Sequence, residues 1–428
     1  MKKIITILLT LLLCCTCLFA EEAAKEPVID YTSSIEDFSF QPTLSRYNAM
    51  GQSGLAAAGR LDAFYTNPAV LADKRFGLSV PSIALTMYNV QKVISNKEQR
   101  DLAGAIITGE AQDSDPFTFA EQLVKNLGNG YNVLAKVDAS VGLAIWQLGF
   151  GTNVQVKLHT LANGSSNLTN TTIIPEVNLA QTVGFGTDIF KTDALKLQAG
   201  ISAHFVYKVY LKGQNAQTVA SLLSEDGESI DYGESLLWKT PLMAGYATPI
   251  DLGVTLSTAK DVFRLSVTAN NLNGLYHMKS YTSVGDYVNT VKEEEVIEVP
   301  EDHVKNESTD FEISTPWTLN VGFAFAPNVI FSPVVTLDLV DVISLCEGMD
   351  EDFRASDILL HLNAGAEVTL AIFNLRAGIN RGYATVGVGF GFVGMRVDAT
   401  YGWQEFGTEI GDKPVDSLTI RFNLGYDK

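Results

Sequence analysis

Apolar residues alternate with polar or small ones over long segments, and this pattern constrains the fold more than any other feature. Between Leu195 and Leu211, nearly every odd-numbered residue is apolar and most even-numbered residues are polar or small. Residues 418–426 repeat the pattern. Because successive side chains of a strand point to opposite faces, each segment predicts a strand with one apolar face. These segments exceed the five or six residues typical of soluble strands and suit tilted membrane-spanning strands of about 9 to 11 residues.

The same reading identifies fourteen candidate strands after residue 75. They lie at 76–88, 134–146, 148–160, 176–189, 195–211, 242–258, 261–272, 313–326, 331–344, 357–369, 371–381, 384–393, 395–403 and 417–427. An even number is what bacterial single-chain barrels require. We therefore predict an all-β transmembrane β-barrel of about 14 antiparallel strands over residues 76–428.

The connections between these candidate strands alternate in length. Long connections are predicted at 89–133, 161–175, 212–241, 273–312, 345–356 and 404–416. Short turns are predicted at 147, 191–194, 259–260, 327–330, 372 and 394, and the short connection at 382–383 is the one exception. Outer-membrane barrels place short turns on the periplasmic side and long loops outside. The alternation therefore favours a barrel in the bacterial cell outer membrane.

The first twenty residues resemble an export signal. Lys2 and Lys3 precede an apolar run at 4–19, and Ala20 is followed by acidic residues. We predict a signal peptide at 1–20 with cleavage after Ala20. An uncleaved anchor and a lipidated Cys15 or Cys17 are the alternatives. Cleavage leaves a single cysteine, so no intrachain disulfide is expected.

Charge and motifs argue against several other functions. The chain has 30 basic and 49 acidic side chains, a formal charge of −19, which disfavours nucleic acid as a partner. Its five histidines show no metal-ligand spacing, and no Gly-x-Ser-x-Gly elbow occurs. The glycine pattern at 389–394 imitates a dinucleotide motif, but no helix is predicted to follow it. We predict no catalytic residues, no metal and no cofactor, and hence no enzyme.

The residues before the first strand lack the alternation. Residues 21–44 are acidic and polar and are predicted to form a periplasmic N-terminal extension. Residues 45–75 are rich in Gly and Ala and carry apolar side chains that need a partner. Inside a barrel, this second segment would fill the lumen. We therefore predict a hatch, or plug, at 45–75.

Two stretches of this segment carry a family resemblance. Residues 50–56 (MGQSGLA, with Gly51 and Gly54) and 62–69 (DAFYTNPA) resemble the hatch of FadL-type outer-membrane transporters of long-chain fatty acids. That hatch is marked by an Asn-Pro-Ala turn, which Asn67, Pro68 and Ala69 match. Residues 365–367 and 375–378 are similar to the closing strands of the same family. The resemblance implies a fourteen-stranded barrel, a hatch in its lumen and a lateral opening at a kinked third strand.

Two groups of residues become candidates for function on this reading. The kink is assigned to Gly149, Gly151 and Asn153 of the third candidate strand, because such residues weaken ladder pairing; ordinary glycines of a barrel strand are the alternative explanation. The lining of a lipid tail is assigned to Phe64, Tyr65 and Leu71, for which packing of the plug is the alternative role.

The predicted function is uptake of long-chain fatty acids or similar hydrophobic molecules by diffusion, without ATP or cofactor. The expected partners are the hydrophobic ligand and outer-membrane lipid, and the protein is expected to be a monomer. One alternative is a non-transporting scaffold or shuttle for a secretion machine. The other is a general porin.

Overall fold

The computed structural model describes most of the chain after residue 38. The described residues are 39–57, 59–73, 75–97, 100, 130–162, 169–211, 214–215, 240–258, 261–294, 297–298, 310–349, 355–406 and 410–427. The predicted signal peptide, most of the predicted extension at 21–44 and much of the first long connection lie outside these ranges.

Within this part of the chain, fourteen antiparallel strands form one closed sheet. They are β1 (Arg75–Tyr88), β2 (Gly130–Trp146), β3 (Leu148–Ala162), β4 (Thr171–Lys191), β5 (Leu195–Leu211), β6 (Leu242–Ala247 with Ile250–Thr258), β7 (Phe263–Leu272 with Leu275–Tyr281), β8 (Asp310–Ser314 with Thr318–Phe325), β9 (Val334–Leu339), β10 (Leu362–Leu370), β11 (Phe373–Asn380), β12 (Tyr383–Phe392), β13 (Met395–Glu405) and β14 (Pro414–Asp427). A two-residue strand, Gln214–Asn215, pairs with the end of β4. The sheet closes because β1 pairs with both β2 and β14. The predicted 14-stranded antiparallel barrel is confirmed.

Short helices lie before and between the strands. They are α1 (Ser45–Ala49), α2 (Arg60–Thr66), a 3-10 helix at Pro68–Ala72, α3 (Val90–Ser95), α4 (Val284–Lys292), α5 (Val342–Glu347) and α6 (Ala355–Leu360). In the described part of the chain, none of these helices has the length and apolarity that a membrane span requires.

The two faces of the strands have opposite character. On β5 the outward Ile201 and Phe205 are both 44% exposed, whereas the inward Ser202, His204 and Lys208 are buried. The barrel is thus apolar outside and polar inside, the reverse of a water-soluble domain. A closed barrel satisfies every ladder hydrogen bond without water, which is what a wall in contact with lipid needs.

Strand boundaries differ from the sequence prediction mainly on the side of the long loops. The ninth strand was predicted at 331–344, but β9 is only Val334–Leu339 because Pro333 precedes it and α5 follows. Asp341 begins α5 by accepting a hydrogen bond from the Ser344 amide. The seventh strand was predicted to end at residue 272, yet β7 resumes at Leu275 and continues to Tyr281.

Three neighbouring strands are interrupted at one level of the wall. The breaks in β6, β7 and β8 fall at 248–249, 273–274 and 315–317, and we call these residues the seam. The level is shared because Tyr246 pairs with His277 on one side of the break and Ile250 pairs with Leu272 on the other. Each of the other barrel strands is a single segment in the described chain.

The described residues before β1, 39–57 and 59–73, occupy the bore, and we call them the N-terminal segment. The Gly54 amide donates to Asp338 of β9 at 2.6 Å, and Asn67 Nδ2 donates to Thr255 of β6 at 2.9 Å. The Thr43 hydroxyl bonds Asp138 of β2. Since β2, β6 and β9 lie on different sides of the closed sheet, a segment that contacts all three crosses the bore.

Candidate functional site

The Asn67-Pro68-Ala69 turn is buried, and the side-chain amide of Asn67 fixes its conformation. Asn67 has extended backbone angles, as expected before proline, and its Oδ1 accepts from the Ala69 amide at 3.1 Å. Its Nδ2 donates to the Leu55 carbonyl at 2.8 Å as well as to Thr255. The side chain therefore holds two parts of the N-terminal segment and the wall together.

The wall is built of glycine where this turn docks. A Cβ on Gly200 of β5 would lie 2.3 Å from the carbonyl carbon of Pro68, and one on Gly253 of β6 would lie 2.2 Å from Asn67 Oδ1. A Cβ on Gly186 of β4 would lie 2.6 Å from the amide nitrogen of Ala72. Since real side chains do not approach so closely, the three glycines form the bed that receives the turn.

Gly51 and Gly54, which the sequence analysis assigned to the hatch, lie against β11 and β9, on the other side of the bore from Gly200 and Gly253. Both have positive φ, +70° and +135°, a conformation that glycine adopts without a steric penalty. A Cβ on Gly51 would lie 2.4 Å from the carbonyl oxygen of Ile379 in β11. The turn they form directs the amides of Gly54 and Leu55 at the Asp338 carboxylate, at 2.6 and 3.0 Å.

Buried ion pairs hold α1 to the same side of the wall. The Arg46 guanidinium lies 3.0 Å from Glu367 of β10 and also donates to the Ala57 carbonyl at 2.6 Å. Arg376 of β11 bridges Glu367 at 2.6 Å and Asp398 of β13 at 2.7 Å. Breaking such a buried network by removing one partner is strongly destabilising.

A third ionic contact lies where the N-terminal segment enters β1. Asp73 lies 3.0 Å from the Lys196 ammonium of β5, which also lies 2.9 Å from Asp261 in the turn before β7. Burial by itself raises the pKa of the Asp73 carboxyl, but Lys196 and the Gln198 amide outweigh it, and the pKa lies below its usual value of 3.8. Burial likewise raises the pKa of the Asp261 carboxyl, but Lys196, Ser257 and Arg264 outweigh this effect, so the pKa lies below its usual value.

The three residues assigned to a kink in the third strand are part of an unbroken ladder. β3 pairs with β4 without a register shift from Leu148 to Ala162, and its register with β2 shifts only between Val133 and Ala135. A Cβ on Gly149 or Gly151 would lie 2.8 Å from the Phe64 ring. Gly149 and Gly151 thus make room for the N-terminal segment, and no break in pairing occurs at Asn153. Interruptions of the ladder occur instead at the seam in β6 to β8 and in β1, whose register with both neighbours shifts between Ser79 and Ser82.

The three residues assigned to a ligand lining have different surroundings. Phe64 and Leu71 are 1% and 0% exposed and pack with Val70 and Ala144, so packing is what the structure assigns to them. Tyr65 is half-buried, lines three cavities, the smallest of which, about 20 Å³, Phe64 lines as well, and stacks its ring on His204 at 5.8 Å between centroids. Of the three, Tyr65 therefore borders the larger cavities, whereas Phe64 reaches only the smallest one.

Three cavities follow one another between the N-terminal segment and the wall. The loop-side cavity, of about 280 Å³, reaches the ends of β2 and β3. The central cavity is about 140 Å³ and the wall cavity about 80 Å³. Gln41 lines all three, Arg381 joins the first two, and Tyr65 and Asn270 join the last two. Ser39 and Gln41 also join the loop-side and wall cavities, so the three cavities border one another.

The loop-side cavity combines aromatic and cationic groups. The aromatic and charged side chains considered for ligand binding in its lining are Tyr88, Tyr131, Phe406, Lys136, Lys157, Arg381 and Glu405. Three cations and one carboxylate thus lie beside three aromatic rings, and two of the cations, Lys136 and Lys157, also lie 4.0 and 3.7 Å from the carboxylates of Asp138 and Glu176. Such a lining suits an amphiphile that has an anionic head and an apolar tail. Sequence reasoning missed it because its residues come from four distant parts of the chain.

One arrangement on β5 resembles a hydrolase site. Ser202 and His204 lie two positions apart, a spacing that the sequence already contains, and Asp251 is adjacent on β6. Asp251 Oδ2 lies 3.0 Å from His204 Nε2, the same nitrogen that Ser202 Oγ approaches at 3.4 Å, while Nδ1 faces Thr182 at 2.9 Å. A triad needs serine and carboxylate on different ring nitrogens, so this geometry is not catalytic.

Among the residues that the structure describes, no group of three or more His, Cys, Asp or Glu is arranged to hold an ion.

The protein resembles several solved structures, all at low sequence identity. No family model and no curated protein matches the chain. The toluene transporter TodX of Pseudomonas putida is 12% identical, with 92% of this chain and 99% of that chain covered and a TM-score of 0.45. A FadL homologue of Pseudomonas aeruginosa is 12% identical, with 91% and 99% covered and a TM-score of 0.42. The toluene transporter TbuX of Ralstonia pickettii is 12% identical, with 90% and 98% covered and a TM-score of 0.39. At these values we draw no conclusion about activity or ligand from them.

Proposed function

We propose that this protein lies in the bacterial outer membrane and takes up hydrophobic molecules by diffusion between its N-terminal segment and its wall. The observation that carries the proposal is the group of three adjoining cavities, which extends from the loop side of the barrel to the wall at β6 and β8. A molecule that enters at the loops therefore has successive sites to occupy.

The filled bore favours this function over a general porin. The N-terminal segment is tied to β9 by Asp338, to β10 by Glu367 and to β6 by Asn67. A bore occupied in this way leaves separate small cavities rather than one wide aqueous channel. Apolar solutes need such a route because the polar outer leaflet of the membrane is a barrier to them.

The chemistry of the loop-side cavity favours a long-chain fatty acid as the ligand. A carboxylate head is attracted by Arg381 and by Lys136 and Lys157, although the two lysines also lie within 4.0 Å of Asp138 and Glu176, and the tail contacts Tyr88 and Tyr131. Neutral hydrocarbons would use the aromatic part of this lining alone. The cations thus predict a preference for the acid over a hydrocarbon of equal length.

Uptake in cells tests the proposal directly. Radiolabelled oleate is supplied to bacteria that produce the protein and to matched cells that do not, and initial uptake is compared. We expect faster uptake with the protein and no steady ion conductance when the purified protein is inserted in a planar bilayer. Large steady conductance would indicate a general porin. Equal oleate uptake in both strains would contradict the proposal and favour a scaffold.

A further inference from the structure

The wall of the barrel is much shorter on one side than on the other. β9 and β11 have 6 and 8 residues, whereas β2 and β4, which lie opposite them in the closed ring of strands, have 17 and 21. At a rise of about 3.4 Å per residue and a tilt of about 40°, β9 spans about 16 Å and β11 about 21 Å. Both values fall short of the roughly 25 Å apolar band that such barrels present to lipid. On this short side, the strands alone do not cover the hydrocarbon layer.

Three consecutive periplasmic turns of the short side contain no charged residue. They join β8 to β9, β10 to β11 and β12 to β13, and we call them the apolar rim: residues 326–333, 370–373 and 392–395. Two periplasmic connections of the tall side are charged instead, with Lys191 and Asp193 after β4 and Lys260 and Asp261 before β7. Because charged side chains resist transfer to hydrocarbon, only the apolar rim is suited to contact with lipid tails.

The apolar rim exposes its side chains as one continuous surface. Ile330 is 79% exposed and Val393 is 88% exposed, and the other exposed apolar residues of the rim include Val329, Phe331, Ile372, Phe373 and Phe392. Backbone bonds join the three turns to one another: the Thr369 amide donates to the Phe331 carbonyl at 2.8 Å, and the Gly391 amide donates to the Ile372 carbonyl at 2.9 Å. Contiguous exposed apolar surface of this kind marks a site of contact with a protein or a membrane.

The backbone geometry of these turns does not explain their composition. Phe331 and Val393 have positive φ, +71° and +37°, a region in which glycine, asparagine and aspartate are accommodated with less strain. A bulky side chain there strains the backbone, and in water it also exposes apolar surface. Contact with an apolar medium removes the second of these penalties. The environment of the turns, and not their shape, therefore accounts for their apolar residues.

The apolar rim continues the surface that the wall turns to lipid. Val335 of β9, Leu375 of β11 and Val388 of β12 face outward and are exposed next to it. No charged residue lies between them and the rim on these strands. Turns inserted by about 5 Å bring the apolar height at β11 from about 21 Å to about that of the usual band. Lipid is therefore the medium that already borders the rim.

We infer that the apolar rim is inserted among the acyl chains of phospholipids in the inner leaflet of the outer membrane. The charged periplasmic connections of the tall side stay in water, so the barrel is seated obliquely in the bilayer. Where β9 itself spans only about 16 Å, the lipid beside it is thinned to match. This seating goes beyond the proposed uptake and does not depend on which molecule the barrel carries.

Spin labelling in vesicles measures the depth of the apolar rim. A nitroxide is attached to Ile330→Cys or Val393→Cys in a background whose four cysteines are changed to alanine. The controls are Leu337→Cys, on the outward face of β9, and Asp193→Cys, in the exposed turn between β4 and β5. Purified protein is reconstituted in vesicles of phosphatidylethanolamine and phosphatidylglycerol, and migration in unheated SDS gels identifies the folded barrel of each variant. Collision rates of each label with oxygen and with the polar complex NiEDDA, present on both sides of the bilayer, are then compared.

We expect the labels at Ile330 and Val393 to behave like the label at Leu337, with frequent oxygen collisions and NiEDDA collisions about tenfold rarer than at Asp193, because hydrocarbon excludes a polar complex. NiEDDA collisions as frequent as at Asp193 would place the rim in water and overturn the inference. Rare collisions with both reagents would show that protein, such as a second copy of this chain, covers the rim, and would overturn it as well. The two rim positions lie in different turns, so each provides the test independently of the other.

Discussion

At the scale of single residues, inward-facing glycines of the wall are as important for docking of the N-terminal segment as the side chains that bond it. Gly186, Gly200 and Gly253 leave the wall bare where the Asn67-Pro68 turn docks, and Gly149 and Gly151 do the same for Phe64. In a strand, glycine weakens the ladder, so its use on the inward face indicates close approach of another chain segment. The sequence displays these glycines but gives no indication of which residue each one meets.

Gly200→Val should displace the N-terminal segment, because even the first added carbon would lie 2.3 Å from backbone atoms of Pro68. We expect the barrel to fold and to conduct ions steadily in planar bilayers. The matched control is Gly391→Val, since a Cβ at Gly391 meets no atom within 4 Å. Absence of steady ion conductance by Gly200→Val in the same bilayers would contradict the close docking of the turn.

Asn67→Ala removes the cap of the 3-10 helix and both bonds from Nδ2. We expect the N-terminal segment to lose about 2 kcal/mol of stability, because the buried Leu55 carbonyl is left without its donor. Limited proteolysis in detergent measures the loss as faster cleavage between residues 39 and 73. Asn67→Asp keeps the cap acceptor and should fall between wild type and Asn67→Ala; equal resistance of all three would contradict the role.

At the scale of elements, the strands could be predicted and their interruptions could not. Alternation located all fourteen strands because which face a side chain occupies is a local property of extended backbone. The broken ladder at 273–274 lies within residues read as a loop, since Asn and Gly there suggest a turn. Only pairing with β6 and β8 shows that β7 resumes beyond it.

The link between the 3-10 helix, β5 and the turn before β7 predicts a pH dependence. The folded pKa of Asp73 is lowered, so its contact with Lys196 stabilises the protein above the usual carboxyl pKa near 3.8 and is lost as pH falls through the lowered value. Asp73→Asn should therefore have a lower thermal midpoint than wild type at pH 7, and the difference should disappear in strong acid.

Thermal denaturation in detergent between pH 7 and pH 2 measures this difference. Asp193→Asn, at an exposed position of the turn between β4 and β5, is the control and should follow wild type throughout. A difference between Asp73→Asn and wild type that persisted unchanged at pH 2 would show that the Lys196 contact is not its cause.

At the scale of the whole molecule, the cavities arise from the fit between the N-terminal segment and the barrel. Arg381, in the turn between β11 and β12, lines both the loop-side and the central cavity; Gln41 of the N-terminal segment completes both, and Tyr65 completes the central one. No single element contains a ligand site. This explains why sequence reasoning treated Phe64, Tyr65 and Leu71 alike, as lining or as packing of the plug, whereas the assembled barrel packs Phe64 and Leu71 against its wall.

Arg381→Gln should discriminate between ligands. Because a carboxylate is attracted by the guanidinium and a hydrocarbon is not, we expect oleate uptake to fall about tenfold while uptake of a neutral alkane of similar length stays nearly constant. Lys191→Gln, at an exposed position at the end of β4, is the control. An equal fall for both ligands would indicate that Arg381 acts on the structure of the cavity and not on the carboxylate.

The sequence by itself determined the number of strands, the face that each strand turns to lipid, the alternation of long and short connections and the Asn67-Pro68-Ala69 turn. Each of these follows from backbone geometry within a few consecutive residues. Only the tertiary structure decided which glycine receives which turn, where the cavities join and where the wall is interrupted. Those features depend on strand register and closure of the barrel, which bring together residues such as Gly200 and Pro68 that are far apart in the chain.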